Sequence, residues 1–225
     1  MGSALGVALS LLKMSEIHDV AIIEAGISKP GEMKFLQKMI QPTFGLFTNN
    51  LEAHARNFTS IGEKNIEKHV LFKELGRFVE NKKYAIQNHD GIWSYEEVTI
   101  VKRKSSTNIT LEGKSFTLSF TENFLIENAI NVYLVAREFV KDKDQLLKNM
   151  EGLRPIAMRW EQFEGLHNNL LINDSYSLDF GSLKISIQQL FGFADKRNKV
   201  LALVGLDISE EEAMELNTVI KSFQI

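Results

Sequence analysis

At 225 residues, 44% hydrophobic and 24% charged, the chain has ordinary globular composition. It can bury a substantial core, as one large domain or a domain with a small appendage. A net charge of -3 offers no electrostatic reason to expect nucleic acid or an anionic membrane as partner. The lack of any cysteine excludes disulfides, zinc–thiolate sites and thiol catalysis, and suits a cytoplasmic protein.

The opening "MGSALGVALSLLKM" is apolar but lacks a basic n-region and a small-residue cleavage site, so it does not read as a signal peptide. "VALSLLKMSEI" has helical spacing instead. "DVAIIEAG" follows as a continuous apolar run, the pattern of a strand buried on both faces. After a Lys29-Pro30-Gly31 turn, "EMKFLQKMI" predicts a helix that stops before Pro42. "TFGLFTNN" predicts a second buried strand, and "EAHARNFTSIGEKNIEKHVLFKELGRFV" two helical pieces around Gly62. Strand and helix in alternation predict an α/β fold with a parallel sheet flanked by helices.

The middle of the chain changes character. "KYAIQN", "IWSYEEVTIVKRK", "NITLEG" and "SFTLSF" alternate and are divided by His89-Asp90-Gly91 and Glu112-Gly113, which predicts antiparallel hairpins in a small subsheet. "LIENAINVYLVAREFV" returns to a helix with a long apolar face. "NNLLINDSYSLDF" reads as strand and loop, "GSLKISIQQLFGF" as a helix and "KVLALVGL" as a last buried strand. "SEEEAMELNTVIKSF" predicts a helix N-capped by Ser209, with acids in its first turn.

Ligands of an open parallel sheet bind at the carboxyl ends of its strands. Three polar clusters fall there: Glu24, Thr48-Asn49-Asn50 and Asn173-Asp174-Ser175-Tyr176. A carboxylate after a buried strand suits a magnesium ion, which takes hard oxygen ligands. Taken singly, each cluster is equally an ordinary solvated strand end or helix cap. The segment "LFTNNLEAHARNF" stands between a solvated loop and a metal or phosphate site. His18, His69, His89 and His167 lie at helix ends or turns without partners at ligand spacing, and the 15 phenylalanines read as core.

"AIIEAGISKPGEM", "LFTNNLEAHARNF", "AMRWE" and "INDSYSLDFGSLK" stand in the order and approximate spacing of the Mur ligases, and from about Gly6 onward the chain resembles that family. The resemblance is to the branch that adds D-alanyl-D-alanine to UDP-N-acetylmuramoyl-tripeptide, in the form fused to alanine racemase. It implies a central ATPase-type α/β domain, mostly parallel sheet flanked by helices with a small antiparallel subsheet. It also implies ATP and magnesium as cofactors, with Glu24 and His54 as metal ligands. Lys68, fourteen positions after His54, matches a lysine carbamylated by carbon dioxide, which turns a cation into an anionic oxygen ligand. Arg159 matches an arginine on the ATP phosphates, Asp174 the acid that holds the ribose and Asn128 an amide near adenine. Lys68 and Arg159 are then catalytic, and Asn49 and Ser28 face the substrate.

The implied partners are UDP-N-acetylmuramoyl-peptide and D-alanyl-D-alanine, without nucleic acid or membrane. The tripeptide carboxylate attacks the γ-phosphate of ATP, and the amine of D-alanyl-D-alanine displaces phosphate from the resulting acyl phosphate. The sequence departs from the family in one respect. No Gly-Lys-[Ser/Thr] loop precedes residue 20, and Gly113-Lys114-Ser115 lies in the hairpin region without the upstream glycines. Residues 1–197 are therefore expected to be a central domain lacking its phosphate-loop segment, inactive alone. Residues 198–225 are expected to close that domain or begin a truncated C-terminal one. Two alternatives are a folylpolyglutamate synthetase-like ligase and a non-catalytic binding domain on the same fold; oligomeric state is left open.

Overall fold

The computed structural model describes residues 4–49, 57–75, 78–80, 92–93, 98–176, 180–192, 198–203, 205 and 208–222. The chain begins with helix α1 (Ala4–Leu11) and helix α2 (Glu32–Ile40). The first helix stops at Leu11, six residues short of the helix expected from the apolar spacing. Just before this end, the Ser10 hydroxyl donates to the Gly6 carbonyl at 2.8 Å and competes with the helical ladder. α2 buries Met33 and Leu36, three residues apart on one face, and ends at Gln41, whose φ of 48° precedes Pro42. Val7, Ile27, Met33, Leu36 and Phe58 close a first small core.

Strands β1 (Gly45–Phe47), β2 (Phe78–Glu80) and β3 (Ile92–Trp93) form a parallel sheet in that order. Gly45 pairs with Phe78, Phe47 with Glu80 and Phe78 with Ile92. Two expectations are corrected here. "FVE" is a strand and not part of a helix end, and Ile92–Trp93 joins the parallel sheet and not an antiparallel hairpin. Apolar stretches this short carry no periodicity that separates helix from strand.

Helix α3 (Ile61–His69), continued by a 3₁₀ turn at Val70–Phe72, lies over one face of the sheet. Its start is a capping box: Ser60 Oγ accepts from the Glu63 N–H at 3.0 Å, and Glu63 accepts from the Thr59 N–H and hydroxyl at 2.6 and 2.7 Å. These bonds hold the Glu63 carboxyl below its usual range. Alternation along β2 sends Phe78 and Glu80 to the α3 face and Val79 to the other. On the α3 face Phe72 stacks on Phe78, with centroids 4.8 Å apart, and its ring lies directly against Gly45.

The antiparallel subsheet is β4 (Thr99–Lys102), β5 (Thr107–Leu111) and β6 (Lys114–Leu118). Glu112 and Gly113 join the last two with φ of 49° and 74°, the left-handed pair of a type I′ hairpin turn. Gly113-Lys114-Ser115 is thus a hairpin corner and start of a strand, with no helix N-terminus behind it to cradle phosphate. Helices α4 (Asn123–Phe139) and α5 (Lys143–Glu151) cover this sheet and enclose the largest core, including Ile109, Phe116, Leu118, Ile126, Ile130 and Met150. The break between them is marked by Asp142, which caps α5 by accepting from the Gln145 N–H at 2.9 Å.

An antiparallel pair, β7 (Glu161–Glu164) and β8 (Leu170–Asn173), leads to helix α6 (Phe180–Gly192) and helix α7 (Glu210–Ser222). α6 and α7 pack through Phe180, Leu183, Ile187 and Leu216. Ser209 caps α7 as its sequence predicts, with Glu212 reaching back to the Ser209 N–H at 2.7 Å.

Two expected strands do not form. Residues 20–26 and the described part of 199–206 join no ladder, and Ile22 and Val200 stand 94% and 87% exposed. An apolar run becomes a strand only when a neighbour takes its N–H and C=O groups, and no described strand lies beside either. Among the described residues the parallel sheet therefore has three strands.

Candidate active site

The carboxyl edge of the parallel sheet carries the first cluster. β1 ends at Phe47, and Asn49 follows two residues later. The Lys68 Nζ on α3 donates to the Asn49 carbonyl at 3.3 Å and lies 5.7 Å from the Phe47 ring centroid. Burial, with the neighbouring Lys64 charge as a lesser cause, brings the Lys68 ammonium down to about 8 from the ordinary 10.5. Among the described residues this nitrogen meets one polar partner, a carbonyl, and no carboxylate. A lysine so placed spends part of its time as a neutral amine at physiological pH, the form that reacts with carbon dioxide.

His69, the next residue, stands at a helix end as its sequence context suggests, with no partner at ligand spacing along the chain; the structure adds a partner from another element. Its ring is buried, stacked on Phe47 at 4.5 Å, with Nδ1 2.7 Å from the Asn65 carbonyl and Nε2 in contact with Glu80 Oε1. Glu80 is fully buried, and its Oε2 has no hydrogen-bond partner among the described residues. Local spacing could not reveal this pair, because its two members lie eleven residues apart on different elements. The one sequence signal was a histidine set directly before the apolar "VLF".

α3 also reaches toward the Glu24 side. Glu67 Oε1 accepts from the Met33 N–H at 3.1 Å, serving as a remote cap for α2, whose own N-cap Gly31 has no side chain to offer. The Ser28 and Lys29 N–H groups are taken by Glu32 Oε2 at 2.6 and 2.9 Å, which hold that carboxyl below its usual range. Ser28 thus shapes a turn through its backbone. Glu24 is exposed and borders a small hollow with Val7, Ser10, Ile22 and Ile23. His54 and Asn50 lie outside the described residues.

The second cluster gathers two of the three residues expected at a nucleotide. Arg159 is exposed, its Cζ 4.1 Å from the Tyr176 ring centroid, a cation–π stack. Asp174 lies beneath: Oδ1 accepts from the Trp160 N–H at 3.1 Å and Oδ2 from the Ser186 hydroxyl. Each carboxylate oxygen keeps a lone pair beyond these bonds. Asn128 is exposed on the second turn of α4.

No group of three or more His, Asp or Glu residues is placed to hold a metal among the described residues. Magnesium asks for less, one or two protein carboxylates beside waters and phosphates. An exposed Glu24 fits that demand, and a desolvated lysine with no carboxylate partner fits a carbamate.

The Mur ligase middle domain family matches residues 1–144, well over half of the chain, and the chain belongs to that family. The protein is similar to the UDP-N-acetylmuramoyl-tripeptide--D-alanyl-D-alanine ligase of Bacillus subtilis, 24% identical over 218 residues covering 88% of this chain and 47% of that enzyme. The ligase of the same description from Haemophilus influenzae is 26% identical over 208 residues, 84% of this chain and 46% of its own length. The chain thus spans about half the length of the curated relatives it matches. A crystal structure of MurF from Acinetobacter baumannii shares the fold with a TM-score of 0.70 at 21% identity, over 83% of this chain and 45% of that one. MurF from Thermotoga maritima in complex with ADP gives a TM-score of 0.59 at 18% identity, over 77% of this chain and 46% of that one. Among the described residues, no helix is long and apolar enough to cross a membrane.

Proposed function

We propose that the chain supplies the middle domain of an ATP-dependent amide ligase of peptidoglycan precursor synthesis, one that joins D-alanyl-D-alanine to UDP-N-acetylmuramoyl-tripeptide in the cytoplasm. The observation that carries this is sequence likeness to ligases of that one description across more than four-fifths of the chain. The reaction transfers the γ-phosphoryl group of ATP to the tripeptide carboxylate, and the dipeptide amine then displaces phosphate through a tetrahedral intermediate. Both stages move charge onto oxygen, so the site contributes chiefly placed opposite charge.

Arg159, its Cζ 4.1 Å from the Tyr176 ring centroid, offers its planar fork of donors to the phosphates. Asp174 receives the ribose hydroxyls on its remaining lone pairs, and Asn128 lies near the adenine. Asn49 and Ser28 line the approach of the peptide. Glu24 and His54, with a carbamylated Lys68 orienting the set, would hold magnesium, which would supply charge neutralisation at the phosphates. The 225 residues contain no glycine-rich Gly-Lys-[Ser/Thr] loop, so turnover requires that element from elsewhere.

Titration of the chain with Mg-ADP, followed by NMR so that millimolar binding registers, tests the proposal. Shifts are expected at residues 128, 159 and 174–176, and Arg159→Ala is expected to weaken binding about tenfold, the scale of one lost charge-assisted contact. Titration to several millimolar without shifts at these positions would overturn the nucleotide site. With UDP-tripeptide and D-alanyl-D-alanine the chain alone is expected to form no ADP above background; measurable ADP would overturn its dependence on an outside loop.

A further inference from the structure

Resting on the nucleotide site proposed above, we propose that Glu122 is its positioning residue: the buried carboxylate ties the Trp160 indole to the start of α4 and thereby fixes the turn that presents Arg159. Glu122 is 4% exposed and Trp160 2%. One carboxylate oxygen accepts from Trp160 Nε1–H at 3.2 Å and from the Gln162 amide at 2.8 Å, while the other accepts from the Thr121 N–H at 2.9 Å. The Glu122 carbonyl accepts the Ile126 N–H at 3.0 Å, the opening bond of α4. A single residue therefore starts the helix that carries Asn128 and grips the neighbour of Arg159.

The turn needs such a grip. Met158 and Trp160, on either side of Arg159, have φ of 61° and 55°, left-handed values that are unfavourable for a non-glycine residue and persist only where the surroundings enforce them. Four backbone bonds do so: Met158 N–H to Glu161 Oε2, Tyr176 N–H to the Met158 carbonyl, Arg159 N–H to the Ile156 carbonyl and Trp160 N–H to Asp174 Oδ1. All four are local to the hairpin and the loop after it. Among the described residues, the Trp160 indole and the Gln162 amide are the groups of this hairpin that reach Glu122 beside α4, and Phe124 supports the indole edge-on at 6.1 Å. A buried carboxylate is costly unless donors surround it, and here every donor it meets orients the Arg159 turn or α4.

The test uses the full chain and two NMR signals, the Trp160 indole N–H and the Arg159 side-chain protons shielded by the Tyr176 ring. Glu122→Leu is expected to move the indole signal, to erase the ring shift at Arg159 and to weaken Mg-ADP about tenfold, the scale of one hydrogen bond to a charged group. Trp160→Phe, which keeps the ring but has no N–H, is expected to do the same at Arg159, and it decides the matter alone if Glu122→Leu does not fold. Glu122→Gln retains an acceptor oxygen and is expected to restore both readouts. An unchanged Arg159 ring shift in Trp160→Phe, or a Glu122→Gln as impaired as Glu122→Leu, overturns the role. If the unmutated chain binds no Mg-ADP yet the ring shift still depends on Glu122, the nucleotide site falls and the positioning role stands.

Discussion

Lys68 decides what the sheet edge can do, because its nitrogen must be neutral to accept carbon dioxide. An ordinary lysine offers that form near 10.5, whereas burial brings this one to about 8. In carbon-13 bicarbonate the carbamate signal is therefore expected to grow as pH rises through about 8, two units below the range of an exposed lysine, and to vanish in Lys68→Met. A signal that appears only near pH 10, or survives in Lys68→Met, would remove Lys68 from the site. At this scale the sequence was uneven. Lys68 and Arg159 were found by their places in a family pattern, since a lysine in "IEKHV" and an arginine in "MRWE" have nothing distinctive of their own. The His69–Glu80 pair and the Glu122–Trp160 bond were illegible, because each joins residues that only folding brings together.

At the scale of elements, the caps at Ser60 and Ser209 and the hairpin at Glu112-Gly113 each rest on a few neighbouring residues, and the sequence pattern predicted the last two but not the first. The strands were harder. "GLF" is a strand within the run expected to be one, yet the more strongly apolar "VAII" is not, since pairing belongs to the partner as much as to the run itself. Gly45 in β1 shows how tightly the paired part is built. A methyl group there would overlap the Phe72 ring, which is itself held in the stack on Phe78. Gly45→Ala is expected to destabilise the chain by about 1–3 kcal/mol through overpacking, seen as a lower urea midpoint with an unchanged slope. A midpoint at or above that of the parent would show that Phe72 can move aside freely.

At the scale of the whole molecule the apolar interior is divided. Among the described residues, the core between the antiparallel subsheet, α4 and α5 holds fourteen buried residues, whereas α6 and α7 share four. Local opening follows the density of buried contacts, so hydrogen exchange is expected to release amides of 210–222 well before those of 125–134. Uniform exchange across both would mean that the chain opens as one unit. The mostly local connections within each core are why the α/β class could be read in advance. What holds β1 against α3, or β7 against α4, depends on contacts between distant parts of the chain, and these carry the candidate site.

The bond from Lys68 Nζ to the Asn49 carbonyl has a stereochemical consequence. An ammonium has three protons to offer, but a carbamate nitrogen keeps one. If that remaining proton stays on Asn49, the planar carbamate has lost its freedom to turn, and its two new oxygens are fixed in one plane, one on the side of the N–H and the other opposite. The backbone of β1 would then aim the modification as well as shelter it.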